Sequence, residues 1–375
     1  MIPYLILTLV PLLFIFIKFD WVKNKQVSEG NILVESHTTK VNNTLIIPGF
    51  FVIFFLILSL RDLSVGVDVI NYSNSFRSIS FKELESVLAR DSDWLYYLLN
   101  WVVSRFTHDF RVFLAICAAI TLIPIAYLYN EEHEWDYLKV VSFLVMPTFM
   151  LVFSGLRQAI AFSIAIIAYK YVREKKLIPF LIFALIAFGF HHSAFIVFSF
   201  YPLYYFVFKT KHLWFIVPGI SLVFIFNRPI FQRLTAIASR LFGDDYSADI
   251  SQTEGYTMLI LFVLLAIFAY VIPDERKMDR EALGLRNFLL MALLLQCFAP
   301  IHALAMRLNY YFILYIPIIL PKIIKYRKDT FKEIGYLAGW VLTLFFLGYY
   351  LIKMYNSCQT GTGSLGIYPY VPYWD

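Results

Sequence analysis

The chain has little charge and little cysteine. Only 15% of its 375 residues are Asp, Glu, Lys or Arg and 60% are hydrophobic, against about 25% and about 45–50% in ordinary soluble domains. That shortage of charge excludes a soluble enzyme. The three cysteines, Cys117, Cys297 and Cys358, stand far apart and two lie inside apolar runs, so neither a disulfide framework nor a metal site is implied. The first apolar run, Ile2 to Ile17, lacks a basic leader and a small-residue cleavage site, and is expected to be a retained first span. Alternating segments of roughly 10 residues, the mark of an outer-membrane barrel, are missing too. Runs such as Leu177 to Phe190 and Phe288 to Pro300 are instead apolar on nearly every face.

What is present is a succession of apolar runs. A spanning helix needs roughly 20 apolar residues, so at roughly 30 residues per unit the chain accommodates about 12 spans. The expected runs are 2–17, 44–60, 110–129, 138–153, 156–172, 177–190, 193–208, 212–226, 255–272, 285–302, 307–321 and 333–351. The fold class is therefore all-α, a polytopic transmembrane helical bundle forming a single integral domain over 1–375. Trp94 to Ser104 is too short to cross and is expected to be an interfacial or re-entrant helix.

With that choice, connections holding Lys18, Lys23, Lys25, Lys40, Lys139, Lys170, Arg173, Lys175, Lys176, Lys209, Lys211, Arg276, Lys277, Arg280, Arg286, Lys322, Lys325, Arg327, Lys328 and Lys332 share one face. This face is expected to be cytoplasmic. The net charge of +6 reports those loops and not nucleic acid. The long connections 61–109 and 227–254 and the tail 352–375 then lie outside. The Gly-rich stretch from Gly361, with Tyr368, Tyr370, Tyr373 and Trp374 after it, is expected to be a flexible exit anchored at the headgroups.

Charges in or beside a span need a reason, because one at the bilayer centre costs about 2.5–3.5 kcal/mol on insertion scales. On the outer face they are Arg61, Arg157, His191, His192, His302 and Arg307. At helical spacing Arg157 shares a face with Ala161, Ala165 and Ala168, and such a stripe suits a close helix contact. Its guanidinium is expected to point into the bundle, the alternative being a snorkelling anchor. His191-His192-Ser193 interrupts a long apolar stretch: an imidazole here can act as a base or donor, or the pair can simply make a turn. Arg307 with Tyr310 and Tyr311 suits oxyanion recognition or an interfacial belt. Asp68, with Tyr72 after it, can balance an arginine, bind a sugar hydroxyl or sit in a solvated loop. Asp244-Asp245 resembles a metal-holding acidic pair, but its outer placement favours a solvated loop.

Taken in order, the motifs match a family. Arg61, Gly66, Asp68 and Tyr72, then Ser154-Gly155-Leu156-Arg157-Gln158-Ala159-Ile160-Ala161, then Phe190-His191-His192-Ser193-Ala194, then Arg307 through Tyr311-Phe312 resemble EpsG-like exopolysaccharide polymerases. These are Wzy-type, O-antigen-polymerase-like proteins of bacterial membranes, and the resemblance runs from about Thr44 to about Pro321. It implies a bundle similar to the GT-C-like lipid-sugar transferases of the ligase and polymerase type. The implied activity joins polyprenyl-pyrophosphate-linked oligosaccharide repeats, donor and acceptor, at the outer face of the bacterial cytoplasmic membrane, with no metal or cofactor. In that scheme Arg157 and Arg307 hold the leaving pyrophosphate, and His191 orients or deprotonates the acceptor hydroxyl. Arg61, Asp68, Tyr72, Gln158, His192 and Tyr311 line the substrate, His192 at the family's variable position. Membrane lipid, a flippase and a chain-length regulator are the implied partners.

Two other classes compete. A flippase of the same lipid-linked unit needs many spans and cationic cavity residues, but usually has two related halves with charges at the midplane; here the charges gather at one face. A membrane O-acyltransferase places a basic residue and a His in its first span, and Ile2 to Ile17 holds neither.

Overall fold

The computed structural model describes residues 1–13, 18–23, 39–89, 92–242, 256–361 and 364–374. Helices α1 (Ile2–Leu13) and α2 (Ile46–Ser59) flank an antiparallel ribbon, β1 (Lys18–Lys23) and β2 (Thr39–Thr44), with Lys18 opposite Thr44. Three short helices follow, α3 (Val69–Ile79), α4 (Leu84–Leu88) and α5 (Trp94–Ser104). Next come α6 (Phe110–Asn130), α7 (Asp136–Val145), α8 (Pro147–Ser154), α9 (Leu156–Arg173) and α10 (Leu177–Phe190). A 3-10 stretch, His192–Ser199, leads into α11 (Phe200–Tyr205), α12 (Leu213–Ile225) and α13 (Asn227–Phe242). The rest is α14 (Tyr256–Val271), α15 (Arg280–Gln296), α16 (Ala303–Ile313), α17 (Ile316–Lys325) and α18 (Lys332–Thr360). The helical class expected from composition holds, and the ribbon is an addition to it.

The spans are less regular than the apolar runs suggest. Among the described residues, α6 and the Glu333–Thr360 part of α18 are the helices long and apolar enough to cross a membrane unbroken. Three bent pairs reach that length together: α7 with α8 at 65°, His192–Tyr205 with Thr210–Ile225 at 119°, and Ala305–Ile313 with Ile316–Lys325 at 42°. Proline explains two of the breaks. Met146 is extended (φ −69°, ψ 144°) because the Pro147 ring disfavours helical backbone in the residue before it. The third pair bends where Pro317 enters at the start of α17, since its ring removes a donor and clashes with the preceding turn. Shorter apolar helices are α1, α2, α10 and α14.

The two long connections carry helices. Half of 227–254 is the helix α13, with Phe231 buried and Leu234 exposed; Asp244-Asp245 lies outside the described residues. Trp94 to Ser104 is a helix as expected, and it packs on α3, α4 and α10 with Tyr96 and Asn100 fully buried.

At the centre runs α9, packed chiefly on α10 and α6. Its Ala161, Ala165 and Ala168 are at most 1% exposed, so the small-residue stripe does bring backbones together. Phe50 and Phe54 of α2, Phe143 of α7 and Phe149 and Phe153 of α8 form a ring cluster beside it.

Eighteen residues of α9 at 1.5 Å each separate its two ends by about 25 Å. At the C-terminal end Arg173 forks onto Glu131, both contacts 2.6 Å, and reaches Glu281 at 3.1 Å. Lys322 joins Glu132 at 2.7 Å and Glu281 at 2.9 Å, while buried Lys139 pairs with Asp136 at 2.9 Å. Basic groups in the last turn of α9 also suit the negative end of the helix dipole. This network ties together α7, α9, α15, α17 and the residues after α6.

The C-terminal segment is a strap, not the expected flexible exit. The Gly66 and Val67 amides donate to the Gly366 and Leu365 carbonyls at 2.9 and 3.1 Å, and Asp62 donates to Val371 at 2.9 Å. Ile367 is fully buried, its carbonyl accepts from the Tyr4 hydroxyl, and the Tyr368 ring packs 4.5 Å from that of Tyr4. These bonds and buried rings hold the segment although its glycines favour freedom. Gly66 is the pivot: at φ +106° a Cβ would lie 2.7 Å from the Phe153 carbonyl oxygen. Gly66→Ala is expected to destabilise the protein by about 1–3 kcal/mol, seen as a lower melting temperature in detergent. Gly219→Ala, inside α12 where the Cβ meets nothing within 4 Å, should not lower that temperature.

Candidate active site

The opposite end of α9 carries the site. Its first turn holds Arg157 and Gln158, because the Ser154-Gly155 break ends α8 and starts α9 at this level. Helix α10 runs back beside α9, so His191, the extended residue that caps its C-terminus, returns to the same end. Against α10 lies α5, and at the crossing Gly189 admits it closely: a Cβ there would fall 2.6 Å from Leu95 Cδ1. The residue immediately before α5, Asp93, is thereby delivered to His191 and Arg157.

Asp93 is the hub, and sequence reasoning missed it. Arg157 Nη1 donates to its Oδ2 at 2.7 Å, His191 Nδ1 lies 3.3 Å from the same oxygen, and the His192 amide donates to Oδ1 at 3.1 Å. The available signal was an acid next to an aromatic helix start, which ordinarily reads as a helix cap. A second group adjoins. Gln158 Nε2 donates to Ser193 Oγ at 3.2 Å and to the Arg307 carbonyl oxygen, and Ser193 Oγ is 3.1 Å from the Tyr311 hydroxyl. Residues flanking α5 and α10 and residues of α9, the 3-10 stretch and α16 thus meet at one end of the bundle in two adjoining hydrogen-bonded groups.

The expected site residues divide accordingly. Arg157, Gln158, His191, Tyr311 and the backbones of His192 and Arg307 are brought together. Tyr72 joins them, its ring centroid 5.7 Å from the Arg157 guanidinium carbon. The Arg307 side chain is exposed beside the network, while Tyr310 and Tyr311 are buried. The His192 ring stacks on Phe188 at 5.2 Å and 15°. Asp68 stays exposed at the start of α3. Arg61 is enclosed, 2% exposed, with its guanidinium 5.5 Å from the Phe153 ring centroid. It is paired through backbone with Pro372 of the strap, a position inside the protein and not at its outer surface. His302 stacks on Phe231 of α13 at 5.5 Å.

Electrostatics set the protonation. Burial alone would push the Asp93 carboxyl up; the His191 hydrogen bond and the charges of His191 and Arg157 overcome this and hold it below its ordinary value. Burial pushes the His191 imidazole below 6.5, helped by Arg157 and Arg307 and opposed by Asp93. His191 is therefore neutral at pH 7. A carboxylate only accepts hydrogen bonds, so the proton of the neutral ring sits on Nδ1 toward Asp93 and Nε2 is left as an acceptor. Among the described residues no group of three or more His, Cys, Asp or Glu is placed to hold a metal ion.

No curated protein and no solved structure matches the chain. The family model described as EpsG family matches residues 44–371, most of the sequence. With its apolar helices and the converging Arg157 and His191 motifs, this integral membrane protein belongs to the EpsG family, a Wzy-like polymerase family.

Proposed function

We propose that the protein joins polyprenyl-pyrophosphate-linked oligosaccharide repeats into a bacterial surface polysaccharide, at the outer face of the cytoplasmic membrane, in a bundle of about 12 spans resembling the GT-C-like transferases. The observation that carries this reading is the convergence of a neutral His191, the forked cation of Arg157 and the exposed cation of Arg307 at one end of the bundle. In the reaction the acceptor hydroxyl oxygen attacks the anomeric carbon of the donor sugar. The bond from that carbon to the phosphate oxygen breaks, its electron pair staying on the pyrophosphate, and the hydroxyl proton passes to His191 Nε2.

Negative charge grows on the leaving phosphate oxygens, and a guanidinium held in place as Arg157 is by Asp93 stabilises it well, with the exposed cation of Arg307 beside it. Arg157 uses Nη1 on Asp93, whereas its buried Nε is unpaired among the described residues. Tyr72 and the His192 segment face the sugar, with buried Gln158 and Tyr311 supporting that surface from beneath; Asp68 is exposed at its α3 edge, and Arg61 is enclosed under the strap. Lipid supplies the surrounding phase, and a flippase and a chain-length regulator would act beside the protein.

Purified protein given lipid-linked repeats should build a chain-length ladder, and EDTA should leave it intact. Complete inhibition by EDTA would count against a metal-free mechanism. Absence of a ladder, with the repeats instead crossing the membrane of a vesicle, would replace the polymerase by a flippase.

A further inference from the structure

Asp93 departs from what its position in the chain prescribes. It stands directly before α5, where an aspartate normally turns its carboxylate onto the first amides of its own helix. Here it makes no such bond and its backbone is left-handed, φ 52° and ψ 29°. Aspartate tolerates that conformation better than most residues, though it remains uncommon outside glycine. Both carboxylate oxygens are instead spent on the site, one on Arg157 and His191 and the other on the His192 amide. The side chain is 6% exposed, so these contacts are made where water competes little.

We propose that Asp93 is the positioning residue of this site: one carboxylate fixes the His191 ring with Nε2 outward and holds the Arg157 fork beside it, so that base and cation are presented as a unit. The role of Asp93 in catalysis rests on the polymerase reading; the pairing with His191 does not. Because Asp93 sits between two helices, it also sets the distance from the N-terminal turn of α9 to the C-terminal end of α10. The charged and titratable groups that face His191 are Asp93 ahead of α5, Arg157 from α9, Arg307 from α16 and the neighbouring His192. Asp93 is the acid among them, so its removal should make the ring harder to protonate.

The test compares wild type with Asp93→Asn, Asp93→Glu and His191→Ala, using two readouts. The first is modification of His191 by diethyl pyrocarbonate across pH 4.5–8, read by peptide mass spectrometry on the purified full chain; it needs no activity. The reagent takes neutral imidazole, so the midpoint reports His191 directly. In wild type it should lie below 6.5, and in Asp93→Asn it should fall by about one pH unit, as loss of a partner charge does. The second is ladder formation over the same pH range. Asp93→Asn should lose about 100-fold in turnover per folded molecule, with its acid limb moved down alongside the modification midpoint. Asp93→Glu should recover part of the turnover, because it restores the charge. An unmoved midpoint in Asp93→Asn overturns the proposal, even if turnover falls through lost stability. A moved midpoint with no ladder from wild type would keep the Asp93–His191 pairing and overturn the polymerase reading. Full turnover in Asp93→Asn beside an inactive His191→Ala would remove Asp93 from the mechanism and leave the base in place.

Discussion

His191→Ala should leave the protein in the membrane at its normal level and lower chain extension by about 10²–10⁴-fold, the range of a positioned general base. His192→Ala should keep most of the activity. The structure separates these neighbours although both are imidazoles on one turn. The His191 ring faces Asp93, whereas His192 reaches Asp93 through its backbone amide, which alanine retains. Its ring lies flat on Phe188, a packing contact. Lipid-linked single repeats should therefore accumulate in the first variant and be consumed in the second, measured by thin-layer separation of extracted lipids. Equal, mild losses would reduce both residues to a turn. The sign with pH follows from the depressed His191 value: wild-type turnover is full above 6.5 and falls as pH drops through the lower pKa of the folded site.

Arg157→Lys carries the second large effect. The guanidinium donates to Asp93 at 2.7 Å, faces the Tyr72 ring and has Nε unused; one planar fork makes all three possible. An ammonium is a point charge and cannot hold a carboxylate and two phosphate oxygens in that plane. Loss of the fork should raise the barrier by about 2 kcal/mol or more, roughly 30-fold in rate, without changing membrane insertion. Arg307→Lys should also lose polymerisation, since that exposed fork has the same pyrophosphate geometry to meet. A purified ladder assay decides the matter. Near-wild-type chains from both lysine variants would mean that the arginines merely snorkel.

Much of this was legible in the sequence because it is local. The helical membrane class follows from apolar runs, and the placement of Arg157 follows from an alanine stripe three and four residues apart. His191, Ser193 and Tyr311 stood out as polar residues in apolar surroundings. Pro147 and Pro317 were also legible signals: each interrupts an apolar run, and hydropathy alone passes over the bend that a proline imposes. Asp93 was illegible for a different reason. A lone acid before Trp94 looks like a helix cap, and only the close approach of α5 at Gly189 turns it toward another helix. The burial of Arg61 and the order of the C-terminal strap were hidden because they depend on pairing between distant parts of the chain.

That strap sets a schedule for assembly. Tyr370 hydrogen-bonds the carbonyl of Ile57, 313 residues earlier. At roughly 5–20 residues per second, synthesis leaves the 57–67 region without this partner for about 15–60 s. During that interval Arg61 and the Gly66 turn lack the partners that cover them, and this end of the bundle can close only after the strap has been made. Closure around Arg61 and Gly66 therefore waits on a segment far along the chain, whereas the helices made before it can already have packed.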